Sequence, residues 1–137
     1  MRPTWATIDA RAVERNVERP RAHVAPAKVC AVVKADGYGH GAVAVARAAQ
    51  RAGADLLAVA LVEEGIELRD AGIEGPILLL SQPTADTMDD ARAAGLTVTL
   101  YTPEGVAAAA KAASDAASGA GQLGAPWDVH LKVDTGL

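Results

Sequence analysis

An α/β fold with a parallel sheet and helices outside it is what this sequence predicts, on three observations. From Val29 onward, short apolar runs of strand type alternate with stretches of helical periodicity, and a repeated β-then-α order implies parallel strands joined by crossover helices. Gly53, Gly72 and Gly95 each close a helical stretch, where a left-handed C-terminal residue is expected. The strand-like runs fall at 29–34, 56–62, 77–81, 96–101 and 128–133. Five strands are too few for a closed barrel, which needs about eight, and enough for a doubly wound open sheet of about five or six. Periodicity does not choose between the two.

Taken in order, Trp5-Ala6-Thr7-Ile8-Asp9 alternates apolar with polar like a short strand, and Asp9 is placed to cap a helix beginning at Ala10. Val13 and Val17 share one face of that helix. Pro20 lacks an amide donor and predicts the helix's end or a kink. Beyond the first strand the helical patterns lie near 41–52, 63–71, 84–94 and 103–113, and Ser114 to Gly124, rich in Ala, Ser and Gly, reads as a frayed helix end plus a loop before Pro126.

The chain has 137 residues, 50% hydrophobic and 22% charged, which suits about one globular domain with a core of its own. A net charge of -4, with no local cluster of Lys or Arg, argues against a nucleic-acid footprint. Nothing behind Met1-Arg2-Pro3-Thr4-Trp5 has the apolar core of a signal peptide, and no later run would span a bilayer, so a cytoplasmic protein is expected. The single cysteine, Cys30, cannot form an internal disulfide, and its place in an apolar strand predicts a packed small side chain. Phenylalanine is absent and alanine abundant, so helix faces must pack closely through small side chains. No HxxxH, CxxC or carboxylate cluster has the spacing of metal ligands, and no metal site is proposed.

The chemistry points to one stretch, Val29-Cys30-Ala31-Val32-Val33-Lys34-Ala35-Asp36-Gly37-Tyr38-Gly39-His40-Gly41. An ammonium at the end of an apolar strand is poorly hydrated, which favours the neutral amine that can attack a carbonyl. Strand alternation puts Cys30, Val32 and Lys34 on one face and Ala31 and Val33 on the other; the same rule groups His130, Lys132 and Asp134. If those faces line a barrel, both lysines stand at the carboxyl ends of strands, where barrel enzymes build their sites. The glycines of the following turn leave backbone amides open to a ligand, and the helix after them offers its positive end to an anion. A bare Gly-Tyr-Gly-His-Gly string is weak by itself and lacks the Gly-Lys-Ser/Thr ending of a nucleotide phosphate loop.

The string AVVKADGYGHG closely resembles the cofactor-lysine motif of the alanine racemase family, and Val129-His130-Leu131-Lys132-Val133-Asp134-Thr135-Gly136-Leu137 resembles that family's HLKVDTGM segment. Between them Leu61-Val62-Glu63-Glu64-Gly65 and the stretch from Ala71 to Leu80 keep the family's register, so the resemblance covers nearly the whole chain. It implies a pyridoxal 5'-phosphate (PLP)-binding (β/α)8 barrel, of which about five βα units would be present, with the C-terminal β domain absent; the chain would then be an N-terminal fragment. Residues 29–137 would be the first part of the barrel, and 1–28 a strand and helix flanking it, with Trp5 to Asp9 associated with the second domain.

By this resemblance Lys34 holds PLP as an internal aldimine and, once substrate displaces it, moves the α-proton on one face of the amino acid, with PLP as the electron sink. Tyr38 would reach the cofactor phosphate and Leu80 would line the cofactor pocket, although an ordinary core role suits Leu80 nearly as well. Lys132 matches the lysine that in many members is carbamylated and steadies an arginine, which here would lie beyond Leu137; the alternative is a plain inward lysine paired with Asp134. His40 is expected to cap or orient the loop, with no proton-transfer role. Asp36 and Gly37 stand where many racemases have asparagine and alanine.

The implied activity is interconversion of L- and D-alanine, supplying D-alanine for peptidoglycan, in a homodimer whose second base is a tyrosine of the partner subunit. The fragment alone is then expected to be inactive, and marginal or prone to aggregate, since an arc of five strands exposes its last edge and its inner face. Two alternatives are another PLP barrel enzyme, such as an aldolase or decarboxylase, and a non-catalytic PLP-binding barrel.

Overall fold

The computed structural model describes residues 3–118 and 126–136. Helix α1 (Ala10–Val24) precedes β1 (Cys30–Val32), a short helical segment α2 (Lys34–Gly39) and α3 (Ala42–Arg51). There follow β2 (Leu56–Val59), α4 (Val62–Asp70), β3 (Ile77–Leu79), α5 (Met88–Ala93), β4 (Thr97–Leu100), α6 (Pro103–Ser118) and β5 (Val129–Leu131). The strands form one parallel sheet in the order β1-β2-β3-β4-β5, in register Ala31↔Leu57, Leu57↔Ile77, Leu79↔Val98 and Val98↔Val129. Sequential parallel strands with a helix after each of the first four make a partial (β/α)8 barrel, an arc of alternating βα units.

Residues paired in a parallel register point to the same face, so the sheet has two distinct sides. Leu57, Val59, Ile77, Leu79, Val98 and Leu100 face outward and are buried under the helices. Alanines make the helix side of this contact: Ala46, Ala48, Ala49 and Ala91 are fully buried, as a chain without phenylalanine requires. Gly65 shows how close the packing is, because a Cβ there would come within 2.6 Å of Leu96 Cδ1. The inner side is open toward the carboxyl ends of β1 and β3, with Val32 37% exposed and Leu80 39%, although Ala58 and Thr99 on the same side are buried. On β5 the outward residues are uncovered as well, with Leu131 64% exposed.

Several expectations are corrected. Trp5 to Asp9 forms no strand; the segment is exposed, and alternation without a neighbouring strand to pair with does not hold an extended conformation. Asp9 caps α1 as expected, accepting from Arg11 N at 2.9 Å and Ala12 N at 3.2 Å. Pro20 does not end the helix, which continues to Val24. Both Pro20 and Asn16 are exposed, so water can reach the carbonyl that the proline leaves without a donor. Cys30 is exposed, not packed, because its side chain lies on the open inner face; partial burial still pushes its thiol up. The strands are shorter than the apolar runs that announce them. Helix α5 starts at Met88 rather than 84, after a Thr84–Thr87 turn, and α6 runs on to Ser118. The expected loop up to Gly124 falls, from 119 on, outside the described residues. Gly53, Gly72 and Gly95 all take positive φ at helix ends, as expected.

Candidate functional site

The first βα connection is the most unusual piece of backbone in the chain. The β ladder runs one residue past β1, with Val33 N donating to Ala58 O at 2.8 Å, and Lys34 follows at once. Ala35, Asp36, Gly37 and Tyr38 then all adopt left-handed dihedrals, with φ between 52° and 60°. Three of the four carry a Cβ, and each such residue costs about 1–2 kcal/mol relative to right-handed backbone. Contacts from outside the segment must hold it.

Those contacts are identifiable. Asp36 Oδ1 accepts from Ala42 N at 2.8 Å, which locks the turn to the start of α3, and Gly41 N donates to Asp36 O at 2.9 Å. His40 Nδ1 lies 2.9 Å from Gly37 O; a carbonyl only accepts, so Nδ1 carries the proton and His40 braces the loop. Gly37 is buried, and a Cβ there would stand 3.1 Å from Val45 Cγ2. From the second βα unit, Glu64 accepts from Ala35 N at 2.5 Å, Ala60 N at 2.8 Å and Leu61 N at 3.0 Å. Partial burial alone would push the Glu64 carboxyl up, but these three donors, helped by the Lys34 ammonium, hold it below the ordinary glutamate range.

Lys34 is half-buried, and its amine has no hydrogen bond or ion pair to a described residue. Leu80 follows β3, its N–H donating to Val59 O at 2.9 Å, and alternation places it on the inner face with Leu78. Lys132 follows β5, tied by its N–H to Leu100 O at 2.9 Å, with its ammonium 5.9 Å from the centre of the Tyr101 ring. The pairing of Lys132 with Asp134 is not formed; Asp134 Oδ1 accepts from Gly136 N instead. His130, on the same face, lies 3.1 Å through Nδ1 from the buried Thr99 hydroxyl. Leu80 and Lys132 thus belong to the inner face at the carboxyl ends of their strands, and Lys34 stands at the carboxyl end of β1, where Val33 (ψ 17°) has already left the extended conformation. Tyr38 stands off the sheet on the left-handed turn, 59% exposed, its hydroxyl unpartnered among the described residues.

Two features of this region were not anticipated. Glu64 was legible only as one of two acids in the first turn of a helix, an ordinary favourable placement. Gln82 accepts through Oε1 from Tyr101 N at 2.9 Å and Thr102 N at 3.1 Å, which ties the end of β4 to the loop after β3. One expectation is overturned in part: the start of α3 is not fully open to an anion, because Asp36 already occupies the Ala42 N–H.

An amine without a hydrogen bond or ion pair to a described residue and an exposed phenol stand four residues apart on this connection, groups able to take a small molecule that carries an aldehyde and an anionic group. Together with the parallel arc this defines a protein of the partial (β/α)8 barrel class with a lysine at the end of its first strand. The chain belongs to the alanine racemase family: the family described as "Alanine racemase, N-terminal domain" matches residues 8–137. Alanine racemase from Desulforamulus reducens is 46% identical over 136 residues, 98% of this chain and 35% of that protein. Among solved structures, alanine racemase from E. faecalis superposes with a TM-score of 0.83 at 40% identity, covering 95% of this chain and 34% of that one. That from the D-cycloserine-producing Streptomyces lavendulae gives 0.81 at 37% identity, covering 94% and 32%. The chain spans about a third of the length of the curated relatives it matches. Alanine racemases use pyridoxal phosphate, and a lysine amine with no hydrogen bond to a described residue suits the aldehyde of that group.

Proposed function

We propose that these residues are the cofactor-lysine portion of a PLP-dependent alanine racemase, with Lys34 as both the attachment point and the base for one face of alanine. The observation that supports this reading is the position of Lys34: at the carboxyl end of β1, half-buried, its amine without a hydrogen bond or ion pair to a described residue. When bound, the cofactor supplies the electron sink that makes the α-proton of the amino acid removable. The rest falls to side chains. The Lys34 amine takes and returns that proton, Tyr38 donates its phenol to the phosphate, and Leu80 closes one wall against water. Lys132 sets the charge beside the site, carbamylated or paired with a residue beyond those described. Residues 29–137 serve as the first part of the barrel and 1–28 as a flanking segment.

In this reading the opposite face of alanine is served by a tyrosine from the second domain of a partner subunit, so the working unit is a homodimer. Its place is the cytoplasm and its product D-alanine for peptidoglycan. Among the described residues no helix is long and apolar enough to cross a membrane. The test is borohydride reduction of the full-length protein with PLP, which should fix the cofactor to the peptide that holds Lys34. Label on a different lysine refutes the assignment. Lys34→Ala should also abolish solvent-deuterium incorporation at the α-carbon of D-alanine, and undiminished exchange would remove Lys34 from the role of base.

A further inference from the structure

The left-handed segment that follows Lys34 raises a mechanical question, because an amine acts on one face of a substrate only if the backbone that carries it has one conformation. Strained dihedrals persist where surrounding structure over-determines them. Asp36 and His40 secure the far end of the segment, towards α3. At the near end, next to the lysine itself, the Ala35 N–H is held by a carboxylate from another βα unit, Glu64 Oε1, while Glu64 Oε2 takes Ala60 N at 2.8 Å and Leu61 N at 3.0 Å.

We propose that Glu64 is a positioning residue for Lys34: its two oxygens clamp the first peptide of the left-handed turn to the end of β2 and so set the direction in which the amine enters the barrel. The proposal rests on the functional reading of Lys34 and names a residue which that reading does not require. Glu64 is half-buried, on a helix whose N-terminal turn it helps to cap, and its charge lies close enough to Lys34 to interact with it. Capping alone would need only the Leu61 contact, which a glutamine at the same helical position makes equally well. The contact with Ala35 is additional, and it spans 29 residues of sequence.

Glu64→Gln separates the two roles. A glutamine has one acceptor oxygen; if that oxygen keeps Ala60 and Leu61, its NH2 faces the Ala35 N–H, donor against donor, and the turn is released. The experiment compares full-length wild type, Glu64→Gln, Lys34→Ala and the double variant. Apoprotein melting, PLP affinity and the fraction of Lys34 trapped by borohydride at limiting PLP are measured for each. The expected result is a loss of about tenfold in PLP affinity and a parallel fall in trapping for Glu64→Gln, an apoprotein melting point close to wild type, and no further loss of affinity when Glu64→Gln is added to Lys34→Ala. An equal loss in both backgrounds, or a lowered melting point with trapping unchanged, leaves Glu64 a helix cap and overturns the proposal. Should Glu64→Gln fail to fold, the Ala35 amide of the wild type decides: protection from hydrogen exchange is expected, and exchange at the rate of an open loop overturns the clamp. A wild type that traps PLP elsewhere overturns the functional reading itself, and this one with it.

Discussion

Arg69 does at the amino ends of the strands what Glu64 does at their carboxyl ends. Its guanidinium donates to four carbonyls: Ala94 O at 3.0 Å, Ile73 O at 2.8 Å, Gly75 O at 2.8 Å and Gly95 O at 3.0 Å. Burial pushes this arginine down from its usual range, a sign that the group has given up water, and the planar fork meets several carbonyls at once as an ammonium could not. Arg69→Ala should therefore destabilise the fold by about 1–3 kcal/mol, since it strips a charged donor from four carbonyls, two of them on the buried Ile73 and the half-buried Ala94. Arg69→Lys should recover less than half of that, as read from urea unfolding midpoints. The place of Lys34 at the carboxyl end of β1 could be read from the sequence alone. The full roles of Glu64 and Arg69 could not be read there, because each also bonds to partners some 25 to 29 residues away that no local pattern links.

At the scale of the element, α2 is where sequence reasoning and structure differ most. Its glycines announce a turn, but nothing in Lys34-Ala35-Asp36-Gly37-Tyr38 says that alanine, aspartate and tyrosine will share one left-handed conformation. That outcome depends on Glu64, Asp36 and His40 acting together. Gly39 offers a clean test of the backbone term, with φ of 79° and no atom near its Cβ position. Gly39→Ala should cost about 1–2 kcal/mol in chemical denaturation from left-handed strain alone, and an unchanged midpoint would mean that the turn relaxes. Helix α1 gives the opposite lesson. Pro20 is a strong stop signal, but the chain overrides it where Val17 packs into the core and the opposite side faces water.

At the scale of the molecule, the arc has two free edges among the described residues, β1 and β5, and an exposed outer face on β5, with Val129 49%, Leu131 64% and Val133 71% exposed. Unpaired strand edges and adjoining apolar surface favour association. The 137-residue polypeptide by itself should sediment as a concentration-dependent mixture of species, and Leu131→Lys should shift it toward monomer. A single monomeric boundary at every concentration would count against this expectation.

By itself the sequence determined the alternation of strands and helices and their order, and it singled out Lys34, Tyr38, Leu80 and Lys132 as candidates, because these follow from periodicity and from motifs contained in short windows. Only the tertiary structure decided the hand of the backbone after Lys34, the exposure of Cys30, the persistence of α1 through Pro20 and the importance of Glu64. Each of these depends on where a second segment lies in space, and hydrogen bonds and burial between distant segments exist only once the chain has brought them together.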